Sequence, residues 1–356
     1  MRAFILAAGR GARLGPLGEA VPKPLLPLGG VPLVRFALEK LRAAGVREVG
    51  VNLHGGAEEI RAALEGSARG LDLHFFHEPE ILGTAGGLKN AEAFLRAGGA
   101  PFFVLNADAP CGADLAAALS HHERGGFLAT LILRRSPEAA RYGLLGADGA
   151  GRLVRFLRAR APGGAEGRIA EAMFTGLSVL SPALLDHIPP GRPCGIAEEI
   201  YPALLERGAP LGAMLSGAYW ADAGTPERFL GANEDLLAGR FVPEFPWPGD
   251  GAVLVTGPPL EWGEGRIQPP LLLGPEVRLG RGALAGPLAV LMRGATLSAG
   301  ARAARSVMFP GSRLAEGASM ERCLAGPGAV VSPAGGSCAE AVFLAGERRP
   351  FSFGGG

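Results

Sequence analysis

From Leu273 onward the chain divides into sixes: LGPEVR, LGRGAL, AGPLAV, LMRGAT and LSAGAR. An apolar residue opens each hexad, and the fifth place is Val277, Ala283, Ala289, Ala295 and Ala301. The register slips after Arg302 and returns with MFPGSR, LAEGAS and the less regular MERCLA. Neither an α-helix nor an alternating strand repeats at six, so this region must be built from short units that each bury a neighbour's open face.

The pattern resembles the hexapeptide repeat of left-handed parallel β-helices, in which three hexads form one triangular coil. Apolar side chains stack inside such a coil and small residues allow the tight corners. The resemblance implies a short β-helix over residues 263–350, with the tail RRPFSFGGG as a loose end. It also implies an outer surface available for assembly, hence a homo-oligomer.

Residues 1–240 follow a different grammar, in which short apolar runs alternate with helical patterns, as in an α/β protein with a mainly parallel sheet. AFILA is a buried-strand run, LVRFALEKLRAA has helical spacing and stops at Gly45, and VREVGVNL reads as the next strand. Helix AEEIRAAL, strand LDLHFF, helix GGLKNAEAFL and strand PFFVL follow. The last strand ends at Asn106-Ala107-Asp108, and ligands of open parallel sheets sit beyond the carboxyl ends of strands. Residues 241–262, dense in proline and glycine, read as a linker between the two regions.

Composition narrows the partners. A net charge of +1 without a basic block disfavours a sequence-independent nucleic-acid surface. No apolar run is long enough for a membrane helix, and the N-terminus lacks a signal-peptide pattern. Cys111, Cys194, Cys323 and Cys338 are scattered without a CxxC, so neither a disulfide framework nor a zinc site is indicated and a reducing cytoplasm is expected.

Only three of the 35 basic residues are lysines, and Lys23 stands between Pro22 and Pro24, just after the glycine-rich AAGRGARLGPL. Glycines there let backbone N–H groups approach a phosphate or a base, although such a loop is equally a plain turn. Two common phosphate motifs fail on spacing: the loop lacks GK[ST], and GxGxxG would require glycine where Leu14 stands. An Asp at a strand end is by itself more often a helix or turn cap than a ligand. His54 reads as a surface or capping residue, and His121, His122 and Lys89 as solvated helix positions.

The longer string is more specific. Gly9, Gly11, Arg13-Leu14 and Pro16-Leu17, followed by Pro22-Lys23-Pro24-Leu25 and LPLGGVPLV, closely resembles the signature of nucleoside-diphosphate-sugar pyrophosphorylases, the sugar-1-phosphate nucleotidyltransferases. EPEILGTAGGL, VLNAD, YGLLGADGAGRLVRF, FTGLSVLSPALL and YWADAGTPERFLGAN follow in the family's order. Its nearest look is to the mannose-1-phosphate guanylyltransferase branch.

The resemblance implies a Rossmann-like catalytic domain at 1–240 in which Arg13 and Lys23 contact the triphosphate and the sugar phosphate. Leu6, Ala7, Ala8, Gly9 and Gly11 would surround the nucleotide, with Gly83 and Thr84 facing the base. Asn106, Gly143, Thr175 and Gly176 would approach the sugar, and Asp108 and Asp222 would hold Mg²⁺. The implied substrates are an NTP and a sugar-1-phosphate, first of all GTP and mannose-1-phosphate. UTP with N-acetylmuramate-1-phosphate or another amino-sugar phosphate is the alternative enzyme reading, since that branch also carries TAGGL. One departure stands out: where many members read FxEKP, this chain reads Phe156-Leu157-Arg158-Ala159-Arg160. Arg158 or Arg160 is the nearest replacement for the lysine charge, and the glutamate has none. That loss also admits a catalytically weak regulatory subunit that binds sugar nucleotides. The β-helix has no histidine after His187, which argues against an acyltransferase role.

Overall fold

The computed structural model describes residues 1–68, 70–137, 139, 143–248, 252–256, 260–333, 335–344 and 347–351. Contacts divide the chain into two units, one formed by Met1–Gly9 with Val34–Trp220 and the other by Arg10–Leu33 with Ala221–Gly356.

The first unit is an α/β layer built on a ten-stranded sheet. In its parallel part Arg2–Leu6 is hydrogen-bonded to Glu48–Leu53 on one side and Phe102–Asn106 on the other, and Asp72–His77, paired in parallel with Glu48–Leu53, closes that edge. Three of these strands, Arg2–Leu6, Glu48–Leu53 and Phe102–Asn106, are rich in apolar residues because both faces are covered: Ala3, Phe4, Ile5, Val49, Val51, Phe102 and Phe103 are fully or almost fully buried, whereas the edge strand Asp72–His77 stays partly exposed. Leu6 pairs with Asn52 and with Asn106, so the three strands end level with one another.

Beyond Phe102–Asn106 the sheet becomes mixed. Ala170–Leu180 runs antiparallel to it, and also antiparallel to Ala129–Arg134 and Leu145–Ala147, while Leu211–Leu215 pairs in parallel with Ala129–Arg134. The segment from 145 to 160 folds as tight hairpins, which only antiparallel pairing permits. The expected helix GGLKNAEAFL is two short helices, Gly83–Asn90 and Glu92–Arg96, broken at Ala91.

The second unit contains the solenoid. Three sheets of short parallel strands stack along it, and the register pairs Leu271 with Ala289 and Val290 with Val307, giving coils of 18 and 17 residues. First-place Leu273, Leu279, Ala285, Leu291 and Leu297 and fifth-place Ala283, Ala289, Ala295 and Ala301 all join its buried core, which is the interior stacking that a left-handed β-helix requires. The fourth place of the regular hexads turns the corner. Gly282, Gly294, Gly300, Gly311, Gly317 and Gly328 do so with φ between 64° and 70°.

The same unit holds the segment Arg10–Leu33. Pro27–Leu28 and Val31–Pro32 pair as a two-residue hairpin whose turn, Gly29-Gly30, has φ of 55° and 78°, as such turns demand. Helix Pro226–Leu237 begins at an N-cap, Thr225, whose hydroxyl accepts from Arg228 N at 3.4 Å. From the proline-rich stretch 241–262, Phe241 and Phe245 are buried, and Trp247 Nε1 donates to Gly29 O at 3.0 Å.

Candidate active site

In the first unit, Leu6, Ala7, Ala8, Gly9, Gly83 and Thr84 of the predicted nucleotide residues lie where the parallel strands end, while Gly11 belongs to the second unit. Ala7 N donates to Asn52 Oδ1 at 2.7 Å, Asn52 Nδ2 donates to Glu78 Oε1 at 2.8 Å, and Glu78 Oε2 accepts from Leu82 N at 2.9 Å. Asn52 and Glu78 are 3% and 0% exposed, so a buried polar bridge ties the loop after the first strand to the loop before Gly83. A fully connected network of this kind fixes its members, since breaking one link strands the others away from water. No spacing in the sequence connects Asn52 with Glu78, so neither is legible there as a site residue. Leu6, Ala7 and Ala8 are largely buried and Gly9 is exposed, so the loop reaches solvent at its glycine.

Gly83 has φ of 75°, and a Cβ there would lie 2.6 Å from Cys194 O. That carbonyl accepts from Ala85 N and Gly86 N, and the Thr84 hydroxyl accepts from Ile196 N at 2.8 Å. Thr84 is therefore committed to holding the 194–196 loop. Ala107 N donates to Leu6 O at 3.0 Å, which sets Asp108, partly exposed, just past the strand end.

The predicted sugar residues lie on a distortion. Pairing of Ala170–Leu180 with Ala129–Arg134 shifts register between Phe174 and Ser178, and bulges of this kind re-aim side chains beside active sites. Thr175 turns inward, donating its hydroxyl to Ile132 O at 2.8 Å, and its carbonyl accepts from Trp220 Nε1 at 2.7 Å. Gly176, with φ of 80°, leaves room for the Asn106 amide, because a Cβ would stand 2.3 Å from Asn106 Nδ2. Gly143 has φ of 95° and packs under Leu157, while its neighbour Tyr142 lies outside the described residues.

Three sequence expectations are corrected in this unit. Lys89 is not solvated: Nζ donates to Leu185 O at 3.0 Å and pairs with Glu92 at 2.8 Å, which fastens its helix. His122 is 2% exposed and hydrogen-bonds Thr130 Oγ1 and Ser181 Oγ, because its helix turns that face to the sheet. His121 is likewise engaged, with Nε2 3.1 Å from Gly151 O. Arg160 donates to Leu157 O and Ala159 O, so its guanidinium holds the hairpin turn at the divergent element.

In the second unit, Asp222 is ringed by cations. Arg228 Nη1 donates to its Oδ2 at 2.6 Å, Arg13 Nη1 lies 3.9 Å from the same oxygen, and Lys23 Nζ lies 4.0 Å from Oδ1. Lys23 opens a short turn, Lys23–Leu25, closed by Leu25 N on Pro22 O and Leu26 N on Lys23 O. A Cβ on Gly11 would come within 3.3 Å of Lys23 Cβ, and one on Gly18 within 2.6 Å of Gly11 O, so these glycines let the loop fold tightly over the lysine stem. The Lys23 side chain is only 13% exposed and that of Arg13 is 65% exposed, which suits a buried point charge beside a solvent-facing fork. Arg228 carries no signal of its own in the sequence, although Thr225-Pro226 marks a helix start that places it in the first turn of the helix following Asp222.

The sequence profile of the nucleotidyl transferase family matches residues 2–239. The chain belongs to this family. Among nucleotidyl transferase relatives it is 34% identical to a mannose-1-phosphate guanylyltransferase of Mycobacterium tuberculosis over 67% of this chain and 65% of the relative. It is 29% identical to a UTP--glucose-1-phosphate uridylyltransferase of Synechocystis over 77% and 74%. It is 33% identical to a mannose-1-phosphate guanylyltransferase catalytic subunit beta of Drosophila pseudoobscura over 64% and 60%. The chain thus spans somewhat under two thirds of two of these relatives and about three quarters of the other. The solved structure of HddC from Yersinia pseudotuberculosis shares the fold with a TM-score of 0.54 at 24% identity, over 65% of this chain and 97% of that one.

Proposed function

We propose that the chain transfers a nucleotidyl group from an NTP to a sugar-1-phosphate, releasing pyrophosphate, with GTP and mannose-1-phosphate as the preferred pair. Residues 1–240 supply the chemistry and 263–350 the β-helix. The observation that carries this reading is the cationic ring of Arg13, Lys23 and Arg228 around Asp222, on the segments that bear the family's signature. In the reaction a sugar-phosphate oxygen forms a bond to the α-phosphorus as the α–β P–O bond breaks, and no protein nucleophile is needed. Catalysis is then positioning and charge neutralisation. Arg13 grips phosphate oxygens in a fork and Lys23 acts as a compact charge held by its prolines. Asn106, Gly143 and Gly176 shape the sugar position.

Asp108 and Asp222 offer the hard carboxylate oxygens that Mg²⁺ takes, and Asp222 keeps Oδ1 clear of its bond to Arg228. The donor chemistry therefore fits the metal, which when bound neutralises phosphate charge. Named guanylyltransferase relatives support GTP, and the Synechocystis relative's name keeps UTP in view. Among the described residues no helix is long and apolar enough to cross a membrane, which is compatible with the cytoplasmic setting proposed here. Assembly through the β-helix into a homo-oligomer is part of the same proposal.

Pyrophosphate release across a matrix of NTPs and sugar-1-phosphates with Mg²⁺ tests the reading. The expected maximum is GTP with mannose-1-phosphate. A maximum at UTP with an amino-sugar phosphate assigns the alternative, and binding of NDP-sugars with no turnover of any pair overturns the enzyme reading for a regulatory one.

A further inference from the structure

The solenoid has three corners per coil, and they are not chemically equivalent. Two corner columns use mainly glycine in the left-handed region: Gly282, Gly300 and Gly317 in one, and Gly294, Gly311 and Gly328 in the other. The third column is Leu288, Arg305, Arg322 and Glu340, with φ of 55°, 48°, 52° and 50°. Side-chain-bearing residues are disfavoured in that conformation, so a corner without glycine needs a reason. Two of these residues show one. Arg305 donates Nε and Nη2 to the two carboxylate oxygens of Glu234 at 3.0 and 2.8 Å, and Arg322 Nη1 donates to Oε1 at 3.3 Å. Glu234 is 7% exposed and lies on helix Pro226–Leu237.

The residue before it reaches elsewhere. Asn233, 1% exposed, accepts from Gly29 N through Oδ1 at 2.8 Å, while Trp247 Nε1 donates to Gly29 O at 3.0 Å. Gly29 is held so closely that a Cβ would stand 2.4 Å from Leu236 and 2.8 Å from Trp247. Gly29 is the tip of the hairpin that directly follows the Lys23–Leu25 turn. Near the start of the same helix, Arg228 holds Asp222 and Phe229 packs on Phe309 of the solenoid, ring centroids 6.2 Å apart. The outward residues of one solenoid sheet, Leu272, Val290, Val307, Leu324 and Val342, are nevertheless buried, between 0% and 4% exposed. Part of their cover is Gly30, whose Cβ position lies 3.6 Å from Leu272, and helix Pro16–Ala20, which packs on strand Ala341–Leu344.

We propose that the β-helix is a positioning platform for the anion-gripping segment, with Asn233 and Glu234 as its positioning residues. Arg305 and Arg322 fix helix Pro226–Leu237 through Glu234, and Asn233 transmits that placement to the hairpin that aims Lys23. The proposal deepens the nucleotidyltransferase reading and rests on it only for its catalytic consequence, since the binding of a phosphate anion by this segment can be measured alone.

The test is calorimetric binding of inorganic pyrophosphate to the full chain. Asn233→Ala and Glu234→Gln are each expected to weaken it by about tenfold, and Trp247→Phe, which removes the indole N–H and keeps an aromatic ring, by about threefold. Arg293→Ala removes an exposed solenoid arginine paired with Glu276 and should stay within about twofold of the wild type. In a Lys23→Ala background the added loss from Asn233→Ala should shrink below about twofold, because no lysine remains to be aimed. A general packing defect would add in full. Additive losses, unchanged binding in folded Asn233→Ala and Trp247→Phe variants, or a wild type that does not bind pyrophosphate, would each overturn the proposal. Wild-type binding with the expected losses but no turnover of any substrate pair leaves the platform standing and removes only the catalytic reading.

Discussion

Arg228 Nη1 stands 2.6 Å from Asp222 Oδ2, closer than Arg13 at 3.9 Å or Lys23 at 4.0 Å. The arginine anchored on a helix thus holds the carboxylate, and the two cations from the signature segment remain less tightly engaged with it. An anchored charge with partners less tightly engaged to the same carboxylate suits the proposed phosphate site, because entering phosphates would displace the weaker contacts to Asp222 and leave the strong one.

Replacement of Lys23 by Ala, Asp108 by Asn or Asp222 by Asn should each lower pyrophosphate release by at least ~10²-fold, the scale of losing one electrostatic contact to a transition state. Arg228→Ala should cost about tenfold, since it acts through the orientation of Asp222. Chelation should abolish turnover and added Mg²⁺ restore it. Steady-state rates of pyrophosphate release decide each case, and near-wild-type rates reject the assignments.

Asn52→Ala leaves Ala7 N and Glu78 Oε1 without their buried partner. Stability should fall by about 2 kcal/mol, and KM for the NTP should rise about tenfold with a smaller change in KM for the sugar-1-phosphate. Denaturant titration and two-substrate kinetics read the two effects separately.

Gly176→Ala puts a Cβ into the Asn106 amide at a position with φ of 80°. The strain should cost about 1–3 kcal/mol, and the displaced Asn106 should raise KM for the sugar-1-phosphate more than KM for the NTP. An unchanged sugar-phosphate KM in a folded variant removes this bulge from the sugar position.

His122 should make the fold acid-sensitive. Ser181 Oγ donates to Phe127 O, so it accepts from His122 Nε2–H, and Nδ1 of the neutral ring accepts a hydrogen bond from the Thr130 hydroxyl. Burial, and secondarily His121, depresses its pKa from the usual 6.5 to about 4. The unfolded chain then binds the extra proton first, so this stability is present above pH 6.5 and is lost as the pH falls toward 4, by at most about 3 kcal/mol. Thermal unfolding between pH 7.5 and 4.5 should show the slope, and His122→Gln should flatten it.

Features written along the chain were legible in the sequence. The hexads were visible because one solenoid coil returns its first and fifth places to the same interior, and the signature string was visible because Arg13 and Lys23 lie on a continuous loop. What stayed hidden depends on residues far apart that carry no shared period. Asn52 and Glu78 are 26 apart, and Glu234 meets Arg305 and Arg322 across 71 and 88 positions. Positive φ at Arg305 and Arg322 also leaves no trace in residue type, since arginine does not announce a left-handed corner as glycine does. Lys89 and His122 stay hidden for another reason, since a polar residue on a helix looks solvated until its face is known.

The solenoid's terminal strands reverse direction. Val253–Val255 and Leu260–Trp262 lie antiparallel against the first coil, and Glu347–Pro350 lies antiparallel against Ala341–Leu344 at the far end, bearing Glu347, Arg348, Arg349 and Pro350. A stack of parallel strands otherwise ends in open hydrogen-bonding edges onto which another copy adds without limit. The reversed strands, the last of them charged and proline-bearing, interrupt such growth on the sheet edges they cover, so a second copy of this chain does not find a parallel edge to extend there.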